Sequence, residues 1–306
     1  MGKYRQTDIK KNLELRAQII QAIRRFFIEQ GFLEIETPCR IPAPAPEAHI
    51  DAQISGNRFL QTSPELCMKQ LLSAGYPRIF QICKCFRKKE RGRRHLPEFT
   101  MLEWYRTGTD YLNLMDESEN LIRFVAHSVF KRRTLTYQGQ TIALTKPWER
   151  IGVTEAFERF ASLSMETAIS RQRFDETLAF EIEPHLGQKK PVFLYDYPAF
   201  RSALAKPLKD NPSLAQRFEL YICGLELCNA FSELNDAESQ RKRFKSELKL
   251  RNALKKPPYP LPETFLKSLD DMPDAAGNAL GLDRLVMLFT DTEQIDDVVA
   301  FTPEEL

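Results

Sequence analysis

An α+β fold is what this sequence predicts, on three observations. Several stretches alternate strictly between apolar and polar residues. Those stretches fall into two long hairpins toward opposite ends of the chain. Helical periodicity occupies the segments before and between them.

From the N-terminal side, Leu15, Ile19, Ile20, Ile23, Phe26 and Phe27 recur at helical spacing, and Gly31 stands where a helix would end. "FLEIETP" predicts a strand with Leu33 and Ile35 on one face, stopped by Pro38, and "RIPAPAPEAHI" reads as an extended loop. "PELCMKQLLSAG" predicts a helix closing on Gly75. "RIFQICKCFR" and "EFTMLEWY" form a long antiparallel hairpin from Ile79 to Tyr105. Its period of two places Phe99, Met101, Glu103 and Tyr105 on one face. Residues 110 to 130 predict an amphipathic helix capped by Asp110, followed by a hairpin in "TLTYQGQTIALT", short helices over 154 to 190 and a strand in "KKPVFLYDYP". "RFELYICGLELCNAFSEL" is a second long hairpin turning near Gly224. A charged helix from Asp236 to Ala253 and a glycine-punctuated strand running into an apolar helix, "GNALGLDRLVMLFT", complete the chain.

With 306 residues, the chain can bury roughly three quarters of its unfolded surface. Its 44 Lys and Arg nearly cancel its 42 Asp and Glu, which excludes a molecule that holds nucleic acid by bulk charge; any basic role is local. The start lacks the apolar core of a secretory signal and the Ser or Thr of a myristoylation pattern, and no apolar run approaches the ~20 residues of a membrane span. A cytoplasmic protein without a membrane role is expected. Six cysteines without CxxC pairs or suitably spaced histidines argue for reduced, packed thiols over a metal-thiolate site.

Three places can carry chemistry. Between Arg87 and Arg94 stand six basic residues and one acid. Arg87, at a strand end, suits bidentate contact with a phosphate or carboxylate, whereas the rest of the loop suits diffuse attraction or is simply a solvated hairpin tip. Arg284 falls in the first turn of the last apolar helix, where free N–H groups and the helix dipole favour an anion; packing alone is the other reading of that glycine-rich turn. Glu219 and Glu226 lie on opposite strands of one hairpin, as magnesium ligands or as exposed edge acids. Taken together the three describe an ATP site.

These residues resemble the class II aminoacyl-tRNA synthetases, most closely the lysyl branch. "FFIEQGFLEIETP" is similar to motif 1 (about 15–38), "FRKKERGRRHLPEFTMLEWY" resembles motif 2 (about 79–105), and "GNALGLDRLVML" resembles motif 3 (about 277–290), with a helical insert at about 107–190. "TSPELCMK", "YDYPAFRSALAKP" and "GLELCNAFSELNDAESQRKRF" resemble lysyl-specific segments. The resemblance implies one catalytic domain over 1–306, an antiparallel sheet flanked by helices, and a homodimer built around motif 1. Lysyl-tRNA synthetases carry an N-terminal anticodon-binding domain, whereas this chain opens almost at once on the motif 1 helix. No anticodon recognition is therefore expected, and such a core resembles the elongation factor P lysine ligases. These activate lysine, preferentially (R)-β-lysine, with ATP and transfer it to a lysine side chain of elongation factor P.

By resemblance, Arg87 contacts the α-phosphate and the lysine carboxylate, Phe99 stacks on adenine, His95 lies near the phosphates, Arg284 holds the γ-phosphate, and Glu219 and Glu226 take Mg2+. Glu65, Glu103 and Glu233, with Ser63, Tyr105, Asn229, Phe231, Ala279 and Gly281, line the lysine pocket. Where the family reads F-R-x-E and H-N-P-E-F, this chain has Lys89 and Leu96, so adenine recognition falls either to Glu90, through a small loop shift, or to backbone groups and Phe99. Ala230 and Ala279 replace family glycines, and Ala279 is read as pressing on the α-amino side to favour β-lysine. Strict alternation separates Glu226 from Asn229, Phe231 and Glu233. A common pocket therefore requires a bulge between 226 and 229. Two further classes remain open at this level: a truncated synthetase or small-molecule amino-acid ligase, and a catalytically silent regulatory paralogue.

Overall fold

A computed structural model describes residues 4–306; Met1 to Lys3, where a lipidation signal would start, lie outside them. The fold is organised by an eight-stranded sheet: β1 (Leu33–Glu34), β2 (Arg78–Phe86), β3 (Glu98–Thr107), β4 (Glu149–Gly152), β5 (Val192–Pro198), β6 (Leu214–Ile222), β7 (Leu225–Ser232) and β8 (Ala275–Gly281). Their spatial order is β1-β2-β3-β8-β7-β6-β5-β4. Only the two outermost pairs, β1 with β2 and β4 with β5, are parallel. The centre therefore consists of two hairpins, β2–β3 and β6–β7, zipped together by the late strand β8.

Helices α1 (Lys10–Glu29), α2 (Glu65–Ser73), α3 (Tyr111–Phe130), α4 (Ala237–Ala253) and α5 (Leu282–Thr290) cover the sheet. Asp110 caps α3 by accepting from Asn113 N, and Asp236 caps α4 by accepting from Ser239 N, which satisfies one orphan donor in each helix. Gly31 and Gly75 take the left-handed backbone, with φ of 75° and 92°, just past α1 and α2. The predicted strand "FLEIETP" shrinks to Leu33–Glu34, because Ile35 makes its last ladder bond to Phe80 and Pro38 follows.

Period two decides which face each β3 residue serves. Leu102 and Trp104 point to the back layer, where α1, α3 and α5 pack; there Phe27 stacks on Phe80 at 4.8 Å. Met101, Glu103 and Tyr105 point forward. Apolar residues of α3, among them Leu114, Leu121 and Val125, belong to this main core, whereas the short helices over 153–186 pack their own cluster, Phe157 and Phe174 included, on β5 and β6. A third cluster, with Leu66, Met68, Phe244 and Phe265, seats α2 and α4 on the front beside the cleft.

Candidate active site

The front of the sheet holds a cavity of about 280 Å³, and Arg87 and Arg284 both line it. Arg87 closes β2; its guanidinium carbon lies 5.1 Å from the centroid of the Phe99 ring, and its buried Nε has no acceptor. Arg284 stands in the first turn of α5, where Nη1 donates to the Glu226 carbonyl at 2.8 Å and Nη2 lies 2.5 Å from His95 Nε2. Burial and then the Arg284 charge lower the His95 pKa, so a neutral ring that can accept suits this contact. The start of α5 is tied to β3, because Asp283 accepts from Thr100 N at 2.7 Å and pairs with Arg16 at 2.6 Å.

The basic loop divides. Arg91 pairs with Asp296 and Glu304, and Arg93 with Glu293, all near the C-terminus. Arg87 and Arg94 face the cavity. Lys88 and Lys89 have no acidic partner among the described residues. Lys89 takes a left-handed φ of 68°, and Glu90 lines the cavity 3.9 Å from Arg87. Leu96, where the family pattern has Asn, is buried.

The bulge required between Glu226 and Asn229 is present. Leu220 pairs with Cys228 and Tyr221 with Glu226, so Leu227 is the extra residue of β7. Its insertion lets Glu226, Asn229 and Phe231 all line the cavity. Glu219 does not line it. Its Oε2 accepts from Tyr197 at 2.6 Å and Tyr221 at 2.7 Å, and its other oxygen pairs with Arg217. Burial pushes the Glu219 carboxyl up, as does the Glu226 charge, against the pull of Arg217. Glu183 is pushed up to about 7 by burial and by the charges of Glu219 and Glu226. Of these three carboxylates only Glu226 lines the cavity, so it is the one placed to meet Mg2+ together with substrate phosphates, with Glu219 behind it. No group of three or more His, Cys, Asp or Glu side chains is placed to hold a metal ion among the described residues.

At the other end, Ser63, Glu65, Glu103, Tyr105 and Ala279 also line the cavity, whereas Gly281, another lining residue, lies beside Arg284. Glu103 Oε1 accepts from Tyr105 at 2.5 Å, while Oε2 has no donor. Glu233 is not a wall residue; it lies fully buried behind Gly277, with Oε1 likewise without a donor. Burial raises Glu103 well above the usual carboxylate range and pushes Glu233 up to about 8. A side chain at Gly277 would put Cβ 2.2 Å from the Tyr105 ring and 2.6 Å from Glu233 Oε1, so only glycine fits. Asn229 is held by Arg217 Nε at 3.0 Å.

Sequence reasoning missed four residues here. Lys69 has its ammonium 2.5 Å from both Glu65 and Glu233. Glu47, from the Pro-rich loop, lines the cavity and is pushed up to about 7 by burial and by Glu65. Arg217 and Asp283 brace the groups beside them. Only Asp283, next to Arg284 in "GLDRL", carried a local signal.

Residues 1–305 match the family model for tRNA synthetases class II (D, K and N). The chain belongs to this family. Among curated members, the elongation factor P–(R)-β-lysine ligase of Pectobacterium carotovorum subsp. carotovorum (strain PC1) is 40% identical, covering 96% of this chain and 95% of its own. Proteins of the same name from Enterobacter sp. (strain 638) and Edwardsiella ictaluri (strain 93-146) are each 39% identical, over 95% of this chain and 94% of theirs. No helix among the described residues is long and apolar enough to cross a membrane.

Proposed function

We propose that this ATP-dependent ligase activates lysine, with (R)-β-lysine preferred, as an adenylate and transfers it to a lysine side chain of elongation factor P. The observation that carries this reading is one cavity with two opposite ends. Arg87 and Arg284 stand at one, and the donor-less oxygens of Glu103 and Glu233 stand at or just behind the other. Buried carboxylates lacking partners favour a ligand that brings ammonium groups, and a diamine brings two.

In this reading Arg87 lies between the lysine carboxylate and the α-phosphate, and Arg284 and His95 hold the outer phosphates. Phe99 offers a ring face to adenine, with Glu90 as the nearby acid. Glu226, backed by Glu219, would hold Mg2+, which when bound supplies charge neutralisation along the phosphates. The lysine carboxylate oxygen attacks the α-phosphorus, forming the acyl–phosphate bond and breaking the bond to pyrophosphate. The acceptor amine then attacks the acyl carbon, AMP leaves, and the amine proton passes to solvent. Alignment and charge supply the acceleration, and no protein nucleophile is needed. Lys88 and Lys89 are the loop cations left to meet an acidic acceptor. A homodimer around motif 1 is consistent with exposed Ile28 and Leu33 beside the edge strand β1.

Lysine-dependent ATP–pyrophosphate exchange, run with each lysine isomer and then with elongation factor P and labelled amino acid, tests the proposal. Exchange with label appearing on the protein is expected. Label appearing on tRNA instead, or no exchange with either isomer, would overturn it.

A further inference from the structure

The acids of the diamine end outnumber the ammonium groups they are read as binding. Glu65, Glu103 and Glu233 supply three carboxylates, whereas lysine offers two ammonium groups. Burying an unmatched charge costs several kcal/mol, so a third positive charge is needed or one acid must remain protonated.

That charge is already in place. The Lys69 ammonium lies on α2, one turn from Glu65, and its Nζ is 2.5 Å from Glu65 Oε1 and 2.5 Å from Glu233 Oε2. Its side chain is 1% exposed and reaches the Phe231 ring, 5.0 Å from Nζ to the centroid. The other titratable groups facing this cluster are Glu103 and Tyr105 from β3, Lys206, which acts on Glu233, and Glu47 from the Pro-rich loop, which lines the cavity beside Glu65 and whose charge is answered by Arg87 and Arg217 and not by Lys69. Lys69 leaves Glu233 Oε1 and Glu103 Oε2 free, so it neutralises one charge without filling the substrate's positions.

We propose that Lys69 is a built-in counter-ion and positioning residue that trims the pocket's three carboxylates to the two negative charges a diammonium substrate matches. It holds Glu65 and Glu233 in place and opposes their mutual repulsion. This rests on the lysine-ligase reading above and deepens it, because it makes the number of substrate ammonium groups a property of α2 as well as of the three acids. Without Lys69, one of the crowded carboxyls keeps a proton to higher pH, and a lysine ammonium must displace that proton to bind.

The test compares wild type with Lys69→Met and Lys69→Arg in amino-acid-dependent ATP–pyrophosphate exchange between pH 6.5 and pH 9.5. For Lys69→Met, the KM for the preferred lysine isomer should rise about tenfold or more near neutral pH and recover toward pH 9.5. The KM for ATP should stay within about twofold of wild type. Lys69→Arg, which keeps the charge, should follow the wild-type pH course. A folded Lys69→Met enzyme with wild-type lysine KM, or one losing lysine and ATP affinity together at every pH, would overturn the inference while leaving the ligase reading standing. If Lys69→Met does not fold, a folded Lys69→Arg enzyme decides, and a lysine KM that departs from wild type and recovers only at high pH overturns the counter-ion role. Wild type inactive with both isomers would sink the reading and the inference together.

Discussion

The two ends of the cavity solve opposite electrostatic problems. At the nucleotide end the charged groups are partly exposed and already lean on one another: Arg284 on Glu226 and His95, and Arg87 on Phe99 and, more loosely, Glu90. A polyanion can enter there by exchanging weak contacts for strong ones. At the diamine end the acids are enclosed and short of donors, so a ligand is admitted only if it completes the set. Solvated charge gives tolerance and attraction; desolvated charge gives discrimination.

Removing Arg284 tests the first half of that contrast and should have the largest effect. Arg284→Ala should lower kcat for pyrophosphate exchange by ~10²–10³, as loss of one preorganised charge donor does elsewhere. Steady-state kinetics with saturating lysine would check it. Gly277→Ala addresses the other half. Its Cβ cannot coexist with the Tyr105 ring and Glu233 as they stand, and overpacking of ~1–3 kcal/mol corresponds to up to about a 100-fold loss, falling on lysine KM and not on ATP KM.

Proton linkage sharpens the comparison further. Glu233 is pushed up to about 8, so at pH 6 it holds a proton that an incoming ammonium must expel, and burial shifts Glu103 in the same direction. Lysine binding should therefore weaken as pH falls below about 8, by at most about tenfold per pH unit for each proton displaced. Calorimetry in buffers of different ionisation heat should detect the released protons, and nucleotide binding should lack this slope. The smallest expected change is at Ala279, which sits in β8 between Asn229 and Glu103. Ala279→Gly should move the ratio of kcat/KM for α- and β-lysine several-fold, within the ~1–3 kcal/mol that one methyl group commands. An unchanged ratio would remove Ala279 from isomer choice.

How legible each end was in the sequence follows the same division. Phe99, Glu103 and Tyr105 could be placed on one face by period two alone, and the need for a bulge near Glu226 followed from counting residues along one strand. Local periodicity carries that information. The enclosure of Glu219 by Tyr197, Tyr221 and Arg217, and the pairing of Lys69 with Glu233, depend on strands and helices far apart in the chain. Nor could the sequence show that Arg91 and Arg93 are engaged by acids near the C-terminus, which takes two of the basic loop's six cations out of play. The broad architecture of paired hairpins was readable because β2–β3 and β6–β7 are each local in sequence. The place of β8 between them was not, since nothing in a lone strand names its neighbours.

One surplus residue in β7 sets how the two chemistries share a floor. With Leu227 taken up outside the pairing, a single strand can offer a carboxylate to the triphosphate and, one step further along, an amide and an aromatic ring to the amino acid. Deleting it would turn one of those contributions toward the back layer, leaving a chain with every named side chain present and no place where both reactants could meet.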